Sequence, residues 1–222
     1  MVHVLNEAIG TRSGELGDQN VIRVLLVHDA CLLRSALAER IAREPDLEVF
    51  HAPWRNARDR TGAVRPDVCV VDPDGETAYA SAEFGEHSHP VSGGLGSPLL
   101  VLVSGNRPGL LRRCMEAGAL GYVDKASPPD RLLAGIRQVA AGRRFVDESL
   151  GFGFLKAAQM PLTHRELLVL SLAAGGAPVA EIANRLHLSN GTVRNYMAAI
   201  TRKTGARNRI DAIRISRGEG WV

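Results

Sequence analysis

The sequence contains no apolar run near the roughly eighteen residues that a helix needs to cross a bilayer, so neither a spanning helix nor a membrane partner is expected. Its first twenty residues lack the basic-then-apolar order of a secretory leader: Glu7, Glu15 and Asp18 are scattered there among glycines. A cytoplasmic location is the resulting expectation. Cysteine is sparse. Cys31, Cys69 and Cys114 are odd in number and have no metal-ligand spacing, and each falls in an apolar segment, so buried free thiols are expected. Lysine is scarcer than arginine, three against 24, a bias that carries no chemistry. No cofactor motif is present, and no nucleophile stands beside a recognisable oxyanion hole, so no enzyme activity is expected.

What is present divides the chain in two. Residues 161–222 hold nine Lys or Arg against four Asp or Glu, whereas residues 1–160 hold eighteen against twenty. The basic excess therefore lies in the C-terminal piece, and a polyanionic partner is expected for that piece alone.

Between residues 21 and 142, short apolar runs alternate with helical periodicity, the pattern of a parallel sheet covered on both faces. Strands are expected at 22–27, 47–51, 67–71, 99–103 and 120–123. The first helix would bury Leu33, Ala36, Leu37 and Ile41, and the last Leu132, Leu133, Ile136 and Val139. Five such units give an α/β, doubly wound, five-stranded parallel sheet. Glycines and prolines between Asp74 and Ser97 leave room for a loop. His87 and His89 in that loop lack a third ligand and read as surface. Residues 1–20 are expected to be a disordered extension, and 143–160 a linker with residual helix.

The C-terminal piece, 161–222, reads as four short helices. Thr163 and Glu166 form a capping box, and Gly175 with Gly176 ends the first helix. Residues 179–187 and 190–204 are the second and third, joined by a brief turn at Leu188 and Ser189. Asn208 caps the fourth, 208–216. Two short helices across so tight a turn make a helix-turn-helix. Ser189, as N-cap, leaves free amides and the positive end of the helix dipole facing a phosphate, and Thr192 adds a hydroxyl. Arg194 and Asn195 project where side chains reach base edges in the major groove of double-stranded DNA, Arg suiting guanine and Asn suiting adenine. Arg202, Lys203, Arg207 and Arg209 follow as phosphate contacts.

The runs Leu162-Thr163-His164-Arg165-Glu166, Ala180-Glu181-Ile182-Ala183 and Leu188-Ser189-Asn190-Gly191-Thr192-Val193-Arg194-Asn195-Tyr196 resemble the LuxR-type domain of NarL/FixJ response regulators. That resemblance implies that 190–204 reads the major groove, starting from Asn190, and that 208–216 carries a dimer contact. Pro178 stands where the family has Ser or Thr as a cap. Ala198 stands where many members carry a basic residue.

In sheets of this kind chemistry gathers at the carboxyl ends of the strands. Those ends supply His28 and Asp29, Asp72, Ser104 and Lys125, with Tyr122 three residues before the lysine. Their order resembles a two-component receiver domain. The resemblance implies an acidic pair holding Mg²⁺, an Asp that accepts a phosphoryl group, a Ser and a Lys that bind its oxygens, and an aromatic switch. Here His28 replaces one acid, and Pro73 follows Asp72 in place of the usual Met-Pro pair. An imidazole is a poor partner for a hard cation, so no resident metal is expected beyond weak Mg²⁺ at Asp29 and Asp72.

The expectation is an atypical or orphan regulator, resembling those of actinomycete development and antibiotic production. Its receiver-like domain would control pairing, as a homodimer or with another response regulator, through the face around Leu132 to Val139 or through a small ligand. The alternative is conventional phosphorylation of Asp72 by a sensor kinase.

Overall fold

The structure is a computed structural model that describes residues 21–73 and 96–222. The extension 1–20 and most of the expected loop, including His87 and His89, lie outside the described residues. Six parallel strands form one sheet: β1 (Ile22–Val27), β2 (Leu47–Ala52), β3 (Val68–Val71), β4 (Leu99–Val103), β5 (Gly121–Asp124) and β6 (Phe145–Val146), in the order β2-β1-β3-β4-β5-β6. All five expected strands lie within a residue of their expected ends, β1 and β4 matching outright, and β6 is an addition to the expected five. It is two residues long, pairs with Gly121 and Tyr122, and follows Arg143 and Arg144, so no apolar run announces it.

Strands such as Val68–Val71 are apolar at every position because both faces are covered. Side chains alternate across the sheet with period two. Leu25, Val27, Cys69, Val71, Val101 and Val103 join one core; Val24, Leu26, Val68, Val70, Leu100 and Leu102 join the other. The first core is closed by α2 (Ala57–Val64), α3 (Pro108–Glu116) and α5 (Gly151–Gln159), the second by α1 (Cys31–Ala42) and α4 (Pro129–Ala140). Each fully buried Leu or Ile contributes about 1.5–3 kcal/mol.

Three expectations need correction. In α1 only Ala38 and Ile41 are buried, while Leu32 and Leu33 are 81% and 54% exposed, because only the C-terminal half of this helix lies over the sheet. Cys31, at its exposed N-terminus, is solvent-accessible; Cys69 and Cys114 are buried, and burial pushes the Cys69 thiol up to about 12. Leu132, Leu133, Ile136 and Val139 face the sheet, so a partner docking on α4 meets its opposite side. There Arg137 bonds Asp46 and Glu44 at 2.7 Å.

The remaining helices, α6 (His164–Ala174), α7 (Val179–Arg185), α8 (Asn190–Thr204) and α9 (Arg209–Gly218), enclose a separate core built on Leu167, Leu170, Ile182, Val193 and Ile200. The Thr163 and Glu166 capping box is present in both directions. No helix among the described residues is long and apolar enough to cross a membrane.

Candidate nucleic-acid interface and receiver-like pocket

Val193, Met197 and Ile200 form the buried stripe of α8, at helical spacing of four and three. That spacing turns Asn190, Arg194, Asn195, Ala198 and Arg202 to the opposite, exposed side. The Ser189 side chain caps the helix, accepting from the Thr192 amide at 3.1 Å, and its hydroxyl lies 2.9 Å from that of Thr192. Entry into α8 is sharp because His187 adopts left-handed backbone, φ 52°, while the Leu188 amide closes on the Ala183 carbonyl at 2.8 Å. Pro178 occupies the N-cap of α7 without a side-chain bond, yet its carbonyl still accepts from Ile182, so the departure costs one cap and not the helix.

The four expected phosphate contacts are not equivalent. Arg202 is exposed and no hydrogen bond from its side chain is found among the described residues. Lys203 Nζ bonds Glu166 Oε2 at 2.7 Å. Burial of Glu166 works to raise its pKa, but the Lys203 ammonium and the Thr163 amide and hydroxyl outweigh it and hold the carboxyl below its ordinary value. Arg209 donates to the Ala177 carbonyl at 2.7 Å, joining α9 to the turn between α6 and α7. Arg207 precedes the α9 cap, and its backbone amide bonds Asp211 at 3.0 Å.

At the other end of the molecule, strand register assembles the pocket. Val27 lies beside Val71, so the next residues, His28 and Asp72, meet across the point where strand order reverses. Val103 lies beside Asp124, which brings Ser104 next to Lys125. Asp72 is held on both sides: Lys125 Nζ donates to Oδ1 at 2.6 Å, and His28 Nε2 lies 3.1 Å from Oδ2. The Ala30 amide donates to His28 Nδ1 at 3.0 Å, which assigns the ring proton to Nε2 and makes that nitrogen the donor to Asp72. Arg34 Nη1 donates to the His28 and Asp29 carbonyls at 2.5 and 3.2 Å, fixing the turn that presents them.

Sequence reasoning missed Trp54. Its indole Nε1 donates to the Asp72 carbonyl at 2.7 Å, and its backbone amide donates to Asp29 Oδ1 at 3.0 Å. It lies just beyond the carboxyl end of β2, so the strand-end rule that found the others could have found it. The second oxygen of Asp29 is buried without a partner. Tyr122 is buried, packs edge-on against Phe154 of α5 with ring centroids 5.0 Å apart, and has its hydroxyl pushed up by burial.

Residues 160–216 match the family model described as bacterial regulatory proteins, luxR family. The chain is 49% identical to the response regulator RamR of Streptomyces coelicolor, over 91% of this chain and 98% of that one. It is 35% identical to the transcriptional regulatory protein DesR of Bacillus subtilis, over 90% and 99%. This chain is a LuxR-type response regulator. Its architecture is also that of the RcsB response regulator of Salmonella typhimurium, with a TM-score of 0.71 at 19% identity over 90% of this chain and 98% of that one. As a LuxR-type response regulator it belongs among DNA-binding transcription regulators, and the exposed side of α8 is the surface on which such binding can be argued.

Proposed function

We propose that this regulator reads double-stranded DNA through Arg194 and Asn195 of α8 and that its receiver-like domain governs pairing without ordinary phosphorylation of Asp72. The closed arrangement of His28, Asp72 and Lys125 carries the second half of this reading. Mg²⁺ takes oxygen donors in near-octahedral geometry. Both Asp72 oxygens are engaged, His28 presents an N–H in place of a carboxylate, and only Asp29 keeps an unpartnered oxygen. Among the described residues no three His, Cys, Asp or Glu gather as metal ligands. These residues do not fit the metal that the receiver resemblance implies, and no phosphoryl-transfer step is derived through it.

DNA binding rests on exposed donors at helical spacing on one side of α8, with the capped helix N-terminus beside them. Ser189, Asn190 and Thr192 would meet phosphate, as would Arg202; Ala198 contributes no charge. RcsB, which shares this fold, has been solved as two dimers bound to two parallel DNAs, which supports pairing here, as a homodimer or with a second response regulator. Input would come from that partner or from a small ligand at the modified pocket. The protein would act in the cytoplasm and without catalysis.

The conventional alternative draws on one observation: Lys125 lies 2.6 Å from Asp72 with Ser104 at the neighbouring strand end, as a phosphoacceptor site requires. Light scattering and DNA affinity before and after treatment with an acyl phosphate separate the two readings. Unchanged mass and affinity are expected. An Asp72-dependent rise in both would establish the alternative.

A further inference from the structure

We infer that the segment joining β4 to α3, residues 104–107, and the tail residues Gly220 and Trp221 form one latch that ties the pocket mechanically to the DNA-binding domain. Ser104 begins this segment at the pocket, and the Arg107 amide folds back onto the Ser104 carbonyl at 3.1 Å. The tail packs against its far end. Gly109 N–H donates to the Gly220 carbonyl at 3.4 Å. A Cβ on Gly109 would overlap the Trp221 backbone, and one on Gly220, which also has φ 69°, would overlap the Asn106 carbonyl. On the inner side, a Cβ on Gly153 of α5 would come within 2.6 Å of the Gly105 carbonyl. Residues 104–107 are thus clamped between two segments from beyond the sheet, each at backbone contact that a methyl group would break.

Helix α3 extends the same contact along one side. From Gly109, positions three, four and seven residues on also reach the DNA-binding domain or the segment entering it. Arg112 donates to the Met160 carbonyl at 2.7 Å, Arg113 to Ser171 Oγ at 3.5 Å, and Glu116 Oε2 lies 2.8 Å from His164 Nδ1. A cavity of about 610 Å³, lined by Arg107, Ser171, Arg217 and Val222 among others, lies beside the tail. The exposed side of α8 takes no part, so the latch couples the two ends without covering the reading surface. Such a coupling is reciprocal, so a latch loosens residues 104–107 when the tail is unseated.

Hydrogen exchange on the full chain tests this. Gly109→Ala improves the helix propensity of α3 and removes the seat of the tail, so the two effects oppose. Exchange at 104–107 and at 220–222 is expected to rise together by about tenfold, with α8 unchanged. Trp221→Ala, which removes the packing of the tail against the core of the DNA-binding domain, should do the same, and the double variant should exceed neither single one. A faster tail with residues 104–107 unchanged would overturn the latch. So would no change in either, or an equal rise throughout α8.

Discussion

The two ends of the molecule treat their polar groups in opposite ways. At the receiver-like pocket, Asp72 has each oxygen taken, and His28 uses both ring nitrogens inside the protein. On the outer side of α8, Arg194, Asn195 and Arg202 are exposed. Replacing the partners of a buried, satisfied carboxylate with an ion or a phosphoryl group first requires breaking them. Exposed donors on a capped helix have only water to give up when a ligand arrives. On the proposed reading, the pocket stays closed and the outer side of α8 meets a ligand.

The most severe way to break this contrast is to open the closed end. Lys125→Met removes the ammonium from Asp72 and should cost about 2–3 kcal/mol of stability in urea unfolding, below the full cost of breaking a deeply buried pair because Lys125 is partly exposed. A loss under about 0.5 kcal/mol would mean that Asp72 is not held by this pair. Next in size, Arg194→Ala should weaken the preferred DNA site by about 1–3 kcal/mol and relax preference at one base pair, read by gel shift across a set of sites.

Much of this was legible because the physics is local. Apolar runs announced β1, β3 and β4, and the Thr163 and Glu166 spacing announced the start of α6. The strand-end rule by itself brings His28, Asp72 and Lys125 to one place. What escaped depends on distant partners. Nothing near Lys203 says that its ammonium belongs to Glu166, 37 residues away. Nothing near Leu33 says that only the C-terminal half of its helix lies over the sheet. The four apolar residues of α4 were assigned to an interface and to a core at once, and only packing against the sheet decides for the core. Trp54 was overlooked since its role runs through an indole and a backbone amide, not through a charge.

The Lys203 and Glu166 pair gives a smaller, sharper test. Glu166 is held below its ordinary value of 4.5, so its contribution is present above that pH and disappears as pH falls through the lowered native value. Thermal melts of Glu166→Gln should lose about 1–2 kcal/mol at neutral pH, from the weakened cap and pair, and should flatten the acid side of the stability profile. The smallest effect separates two neighbours. Arg202→Ala should reduce the slope of log affinity against log salt by about 0.9, one phosphate, whereas Lys203→Ala should act mainly on stability and change the slope less. Equal slope changes would return Lys203 to the DNA-contact set.

The closed pocket is tested most directly by titrating Mg²⁺ with beryllofluoride into the full chain while following the emission of Trp54, whose indole bonds the Asp72 carbonyl. A closed pocket gives no saturable change through the millimolar range and an unchanged molecular mass. Saturable binding at millimolar Mg²⁺ that disappears in Asp72→Asn would contradict it.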